Sequence, residues 1–239
     1  MLKTRGIVLR TVKYGETSVI TDIFTEAQGL HTFIAGGVRS ARSKMPYSLF
    51  QPMSVVEIMA YFRNAADPMH RLKEARNAEV FSAIPFDLRK GAVALFMAEV
   101  CRKCIREAGE HQELFDYLLQ VLQWLDRSDK PIANLHLHFL LGLAGQLGFQ
   151  PQETDQDARF FDLKEGIFSA GIPPHTQYLR ELESAQVRAL LLLPLEEAHE
   201  LPLERSQRKS LLRQLLLYYQ LHVPGFSGIN TPEVLENIF

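Results

Sequence analysis

The sequence contains little of what secreted and membrane-spanning proteins need. It has two cysteines and one tryptophan in 239 residues. Cys101 and Cys104 lie too close together in the chain for a disulfide that would stabilise a secreted domain, so we expect the protein to reside in a reducing cytoplasm. No apolar run approaches the roughly 20 residues that cross a bilayer, and the N-terminus does not have a signal-peptide pattern. We therefore expect a cytoplasmic protein without a membrane partner.

The short motifs of common enzyme classes are also missing. There is no Walker loop, dinucleotide fingerprint, nucleophile elbow or His-Glu-x-x-His sequence. The "CRKC" segment could supply half of a tetrahedral zinc site, but no second ligand pair has suitable spacing. Two cysteines three positions apart in a helical pattern share a face, which favours small buried thiols. We expect no enzyme activity, no metal and no cofactor; a metal-dependent enzyme built on "CRKC" is the alternative.

Charge is distributed unevenly along the chain. Residues 1–80 carry 11 Lys and Arg against 7 Asp and Glu, whereas residues 81–239 carry 15 against 21. Two differently charged parts indicate two modules, and the basic first module favours a polyanionic partner. The alternative is surface charge that serves solubility alone.

The first eighty residues predict five short strands joined by turns. Their β-branched runs are separated by "YGE", by Gly29, by Pro52 and by the turn-like "NAADP". Five strands with one longer connection near residues 38–50 are typical of the closed OB-fold barrel, which removes exposed strand edges. The predicted strands are "GIVLRTV", "TSVITDIFT", "LHTFIAG", "MSVVEIMAYF" and "MHRLKEARN".

After Pro85 the periodicity becomes helical. The first helix is predicted to begin after Asp87 as N-cap and to stop at Gly109. Residues 150–175 interrupt the pattern and predict a small hairpin or an irregular insert. The fold class is therefore α+β, with an OB-fold in residues 1–80 followed by a helical domain in residues 81–239. The other predicted helices are "ELFDYLLQVLQWLDRS", "IANLHLHFLLGLAGQLG", "SAQVRALLLL", "SQRKSLLRQLLLYYQLH" and "PEVLENIF".

A basic segment, "GGVRSARSKM", lies on the long connection between the third and fourth predicted strands. Arg39, Arg42 and Lys44 could meet phosphate oxygens, because Arg offers a planar fork and Lys a point charge. The adjacent glycines let a ligand approach the backbone. The alternative is a solvated loop without a specific ligand. Cations on the first strand could extend the same face, namely Lys3, Arg5, Arg10 and Lys13.

A second basic stripe lies on the helix "ERSQRKSLLRQLLLYYQ". Positions three to four apart share a helix face, and Leu211, Leu215 and Tyr218 define a separate apolar stripe. Together they could form a groove for an acidic peptide tail, with cations pairing carboxylates and leucines receiving an apolar side chain. The alternative is an ordinary surface helix with a polar outer face. The predicted tail site consists of Arg205, Arg208, Lys209, Leu212 and Arg213.

The N-terminal sequence resembles that of the bacterial RecO family of DNA repair proteins. The likeness rests on "YGETS", "FTEAQG", "GGVRSARSK" and "LFQPM", which occur in order with suitable spacing over about fifty residues. Later elements are similar too: an "ELFDYLL" helix, a "GIFSAG" insert and the closing "INTPEVLENIF". Two departures are visible: residues 150–180 have none of the Cys pairs that bind zinc in many members, and Gly36 stands where a Lys is frequent.

The resemblance implies an OB-fold joined to a helical domain and a role as a recombination mediator. Such proteins bind single- and double-stranded DNA, anneal complementary strands and act with RecR. They engage the C-terminal acidic tail of single-stranded-DNA-binding protein and help to load RecA on coated DNA. Nucleoid association within the cytoplasm follows from that role. A protein-interaction adaptor, whose OB-fold binds a partner instead of DNA, is the alternative.

Overall fold

The first eighty residues form the predicted barrel. In the computed structural model, which describes residues 1–40, 43–62, 67–105, 109, 111–154 and 157–239, five strands close in the order β1-β2-β3-β5-β4. The β3–β5 pairing is parallel and the other four are antiparallel. The five-stranded barrel predicted from sequence is therefore confirmed. The strands are β1 (Leu2–Tyr14), β2 (Ser18–Thr25), β3 (Gly29–Ala35), β4 (Val55–Tyr61) and β5 (His70–Asn77).

Strand β1 is long because it pairs with two neighbours. Its first half pairs with β4 and its second half with β2, and both pairings include Gly6. A Cβ atom at Gly6 would lie 2.5 Å from Cγ2 of Ile23, so only glycine lets the strand cross at this point. An irregularity between Val8 and Arg10 then bends the strand along the barrel.

The barrel is filled by alternate, inward-facing residues of its strands, including Ile23, Phe33 and Ile58. A short 3₁₀ helix, Tyr47–Phe50, adds Leu49 and Phe50 to this core. The segment between β3 and β4 is thus tied to the barrel at its far end.

Two helices follow the barrel and pack with it. Helix α1 (Leu88–Cys104) begins as predicted, because the carboxylate of Asp87 accepts hydrogen bonds from the backbone N–H groups of Arg89 and Lys90 at 2.8 and 3.1 Å. It ends at Cys104, five residues before the predicted stop at Gly109. Helix α2 (Gln112–Arg127) comes next.

By packing, the chain divides into two compact units, residues 1–127 and 128–239. The first unit therefore contains α1 and α2 as well as the barrel. Glu26 of the barrel joins it to α2, because its carboxylate accepts from Arg5 at 2.6 Å and from Gln112 at 3.1 Å. The predicted division at residue 80 follows the change from strands to helices and stays a prediction about domains.

The second unit is helical and carries a small four-stranded sheet. The predicted hairpin is the β7–β8 pair, and two further short strands complete the sheet in the order β6-β8-β7-β9. Within the described residues no helix has both the length and the apolarity needed to cross a bilayer. The elements are α3 (Leu135–Gln146), β6 (Gln152–Glu153), β7 (Phe160–Asp162), β8 (Ile167–Ser169), β9 (Tyr178–Leu179), α4 (Glu181–Leu192), a 3₁₀ helix (Leu195–Glu200), α5 (Arg205–His222) and α6 (Pro232–Ile238).

Helices α3 and α5 form the centre of this unit. The buried hydroxyl of Tyr219 donates to the carbonyl oxygen of Leu140 at 2.6 Å, so the polar atom of a core aromatic ring is paired. Leu211, Leu215 and Tyr218 are also buried at this centre. One face of α5 therefore packs into the unit and the opposite, basic face remains at its surface.

Candidate nucleic-acid interface

The connection that leaves β3 is anchored where it begins. Gly37 has a φ of 70°, which turns the chain, and the next side chain, Val38, is only 2% exposed. The backbone N–H of Arg39 donates to the carbonyl oxygen of Thr17 at 3.0 Å, and the hydroxyl of Ser40 donates to that of Gly37 at 2.9 Å. These contacts hold the cationic stretch against the β1–β2 turn.

Two of the three predicted cations of this connection can be placed. Arg39 and Lys44 are both exposed, and Arg42 lies outside the described residues. Among the residues that the structure describes, no carboxylate lies within 4.0 Å of either Arg39 or Lys44. Their charges are therefore not neutralised by described neighbours and can meet an external anion.

Lys13 and Arg10 of β1 differ from each other in their surroundings. Lys13 pairs with Val19, which in turn pairs with Ala35, so Lys13 lies at the barrel end where the connection starts. It is exposed. Arg10 lies further back on β1, with its guanidinium 3.9 Å from the carboxylate of Asp22. Strand pairing thus brings Lys13 to the end that carries Arg39, while Arg10 has a carboxylate neighbour.

The connection borders a groove of about 940 Å³ on the outer face of the barrel. Gly36 and Gly37 line it at one side, so its wall there is backbone without bulky side chains. Its cations outnumber its two carboxylates, Glu57 and Glu74. The cations that line it are Lys3, Lys44, Lys73 and Arg76.

A second groove of about 910 Å³ shares Gly36, Gly37 and Lys73 with the first, so the two are neighbours on the barrel surface. It adds the cation Arg71 and the half-exposed ring of Tyr61. A basic groove with an aromatic side chain at its wall suits a nucleic-acid strand, because phosphates need cations and bases can stack on rings.

The cations of β5 were not among the predicted site residues. In "HRLKEAR", apolar or buried residues alternate with Arg71 and Lys73, so a period of two predicts that both point outward. This alternation is the signal that could have identified them. The sequence predicts β5 as the fifth strand, and none of its cations belongs to the predicted site.

Two cations proposed to extend the basic face have carboxylate partners. Arg5 forms a bidentate contact with Glu26 and lies 5.1 Å from the ring centre of Phe115. The hydrogen bond from Arg5 lowers the pKa of the Glu26 carboxyl. Lys3 lies 3.5 Å from Glu57, which also pairs with Arg76 at 2.6 Å. Arg5 is therefore paired within the first unit, and its contribution to the basic face stays a prediction.

The cations of the second basic stripe lie along α5, and residues 236–239 contact them. Lys209 and Arg213 contact the carboxylate of Glu236 at 2.6 and 3.5 Å. Arg208 donates to the carbonyl oxygen of Phe239 at 2.9 Å, and Arg205 donates to that of Glu236. A cleft of about 150 Å³ remains between α5 and these residues.

The apolar part of this cleft differs from the prediction. Leu211, Leu215 and Tyr218 are buried in the core, so they cannot receive an external side chain. Leu212 lines the cleft, together with Leu235. The ring of His136 lies parallel to that of Phe239, with 6.2 Å between ring centres. The apolar floor thus comes from Leu212, which the predicted tail site includes, and from α3, rather than from Leu211, Leu215 and Tyr218.

Cys101 and Cys104 are buried in α1 as thiols, and burial raises the pKa of Cys101 well above its ordinary value. In the sheet that follows α3, Asp162 accepts from the backbone N–H of Lys164 at 2.8 Å and lies 3.1 Å from His175. Within the described part of the chain, no group of three or more His, Cys, Asp or Glu could hold a metal ion. The side chains described here therefore do not fit the zinc that many members bind in this insert.

Comparison with known proteins agrees with this architecture. The family model described as "Recombination protein O N terminal" matches residues 1–81, and "Recombination protein O C terminal" matches residues 85–227. The chain belongs to the RecO family. Proteins named DNA repair protein RecO are 34% identical in Phocaeicola vulgatus and 35% in Bacteroides fragilis, over 99% of this chain and 98% of theirs. One from Flavobacterium psychrophilum is 33% identical over 100% of this chain and 99% of its own.

RecO membership thus agrees with the resemblance seen in the sequence and makes this chain a DNA repair protein. The N-terminal match ends at residue 81, shortly after the last barrel strand ends at Asn77. The C-terminal match stops at residue 227, before α6. The segment that lies on the basic stripe therefore falls outside the matched family region.

Proposed function

We propose that this RecO chain is a non-enzymatic recombination mediator. It binds single- and double-stranded DNA, promotes annealing of complementary strands and, with RecR, helps to load RecA on DNA coated by single-stranded-DNA-binding protein. The observation that carries the proposal is the pair of exposed, unneutralised cations, Arg39 and Lys44, beside a groove with further cations on β5.

The cations act on phosphates. Each one that neutralises a phosphate releases counterions from the nucleic acid, which supplies affinity without reading sequence. Tyr61 offers a ring face on which any base can stack. Two strands held through their backbones keep their base edges free, so complementary bases can pair while both strands are bound.

The basic face of α5 supplies the partner site. Its four cations and the apolar cleft at Leu212 suit a peptide with carboxylates followed by an apolar side chain. The acidic tail of single-stranded-DNA-binding protein has this chemistry. Docking there would hold the mediator on coated DNA, and RecR would join the same complex.

Changing Arg39, Arg42 and Lys44 together to Ala tests the role of the connection. We expect affinity for a single-stranded oligonucleotide to fall about tenfold or more, and the log–log slope against salt to shrink by about 2. Thermal stability should stay close to that of the parent, because exposed charges contribute little to folding. Fluorescence anisotropy at several salt concentrations and a melting curve measure both.

A matched control changes three exposed cations of the second unit, Lys130, Lys164 and Arg180, to Ala. This control has the same change in net charge. If both triple variants lose the same affinity, total charge rather than the connection binds DNA. If the connection variant keeps full affinity, the connection is not part of the interface.

A salt-titrated annealing assay separates the mediator from the protein-interaction adaptor. A mediator that contacts three to five phosphates should show a slope of about −2 to −4 in binding. It should also anneal complementary strands, both bare and coated by single-stranded-DNA-binding protein. A flat salt response without annealing would favour the adaptor.

A further inference from the structure

The last residues of the chain lie in the site that was predicted to receive an acidic peptide. Helix α6 carries Glu236, whose carboxylate reaches Lys209 and Arg213, and Phe239 follows with its ring parallel to that of His136. Leu235 is buried beneath them. The segment therefore presents a carboxylate, an apolar anchor and an aromatic ring to the basic face of α5.

This segment satisfies the basic face only in part. Among the described residues, Glu236 is the one acidic side chain within 4.0 Å of the four cations of the stripe. Arg205 donates to the main-chain oxygen of Glu236, and Arg208 donates to those of Leu203 and Phe239. The Nε atom of Arg208 is buried and has no hydrogen-bond partner among these residues. A carboxylate of a bound ligand would give this Nε atom an anionic acceptor, which a guanidinium binds more strongly than a neutral one.

The other acidic side chains near the stripe do not provide carboxylates for Arg205 and Arg208. Glu204 is used at the start of α5, where its side chain accepts from the backbone as part of a capping box. Glu233, at the start of α6, is exposed, and no cation lies within 4.0 Å of it in the described part of the chain. A ligand with two or more carboxylates could therefore pair with Arg205 and Arg208 as well as with Lys209 and Arg213.

We propose that residues 232–239 are an internal ligand of this groove, and that a partner peptide with several carboxylates before an apolar and an aromatic residue binds by displacing them. The proposal rests on the tail-binding site given under the proposed function. It adds that the groove is occupied before the partner arrives, so partner affinity is reduced by the fraction of molecules in which the segment is seated.

The chain that leads into α6 suits such a displacement. Gly225 and Gly228 have φ angles of 66° and 63°, and Ser227 between them is exposed. Glycines in the left-handed region allow a change of backbone direction at little steric cost. In the displacement that we propose, α6 leaves α5 and exposes Leu235, while the core formed by Tyr218 and Tyr219 stays folded.

Binding of a labelled peptide tests the displacement. The probe is a fluorescein-labelled peptide in which four aspartates precede Asn-Ile-Phe, titrated with the full chain and read by anisotropy. Glu236→Ala removes the carboxylate that holds the segment, so the probe should bind about three- to tenfold more tightly. Phe239→Ala should have the same direction of effect. Glu233→Ala is the matched control, with the same charge change on the same helix, and should leave the affinity unchanged.

The outcomes separate this inference from the proposed tail site. If the probe binds the parent, Glu236→Ala and Phe239→Ala equally, the tail site stands and the internal ligand is refuted. If Glu233→Ala gains as much as Glu236→Ala, net charge explains the gain and the internal ligand is again refuted. Changing Arg208 and Lys209 to Glu should abolish binding in every background. Retained binding in that variant would remove the tail site itself, and the inference with it.

Discussion

One carboxylate fixes the polypeptide where the barrel gives way to helices. Asp126, near the end of α2, is buried and accepts backbone hydrogen bonds from Ser82, Ala83 and Ile84 at 2.9, 2.7 and 2.9 Å. Three successive N–H groups thus have a charged acceptor that no neighbouring strand or helix could supply. The side chain explains why α2 belongs to the same compact unit as the barrel.

Replacing Asp126 with Ala should destabilise the first unit strongly. Three backbone donors would lose their acceptor in a largely buried place, and we expect a loss of about 3 kcal/mol in the free energy of unfolding. Urea unfolding followed by the fluorescence of Trp124, the chain's one tryptophan, measures it. Asp129→Ala, an exposed position three residues further on, is the control and should change little. Equal midpoints for the two variants would contradict this role.

At the scale of elements, β5 shows that exposure alone does not decide whether a cation can bind. Arg71 and Arg76 lie on the same strand and are both exposed. Arg76 pairs with Glu57 at 2.6 Å, whereas Arg71 has no carboxylate within 4.0 Å among the described residues. A phosphate must break an ion pair to reach Arg76, but it can contact Arg71 directly.

These two arginines provide a prediction within one strand. Arg71→Ala should weaken binding of single-stranded DNA by about three- to tenfold and reduce the salt slope by about 0.7. Arg76→Ala should cause a smaller loss, because Glu57 already neutralises that guanidinium. Oligonucleotide titrations at three salt concentrations compare them. A larger effect at Arg76 would mean that the DNA strand lies in the groove of about 940 Å³, which Arg76 lines.

Local sequence predicted most of the elements of this fold. Apolar runs bounded by turn residues predicted all five barrel strands, and Asp87 marked the start of α1. The two- and three-residue strands at residues 152–179 are too short to show a period of two, so the sheet they build was expected only as a hairpin or an irregular insert.

The surroundings of the site residues were less predictable, because they depend on contacts distant in sequence. Helical spacing correctly placed Arg205, Arg208 and Lys209 on one face of α5. Their partner, Glu236, lies 27 or more positions further along the chain, beyond the reach of any local pattern. The engagement of Arg5 by Glu26 is similarly set by strand pairing, which spacing alone does not reveal.

At the scale of the whole molecule, buried histidines occur in both compact units. Burial lowers the pKa of His31 and His70 in the barrel and of His138 in α3. Burial, and then the charge of Arg208, lowers the pKa of His136 to about 3. In mild acid these four histidines therefore bind fewer protons in the folded chain than in the unfolded chain.

This arrangement predicts a loss of stability in mild acid. Below about pH 6.5 the unfolded chain binds more protons than the folded chain, so the free energy of unfolding decreases as pH falls. The slope is at most about 1.4 kcal/mol per pH unit for each histidine, and for His136 the loss continues down to about pH 3. Urea midpoints at pH 7.5 and 5.5, followed by circular dichroism, measure it. Equal urea midpoints at the two pH values would contradict this prediction, and His136→Gln should reduce the difference between the two midpoints.

The parallel contact that closes the barrel joins β3 to β5 through only two residue pairs in the described part of the chain, Phe33 with His70 and Ile34 with Arg71. Such a short pairing is where local opening costs least. A nucleic-acid strand held by Arg71 on one side and by the Gly36–Gly37 backbone on the other would span this contact. Binding of that nucleic-acid strand would also resist opening of the barrel at the β3–β5 contact. The barrel would therefore become more rigid as more of the chains bind nucleic acid.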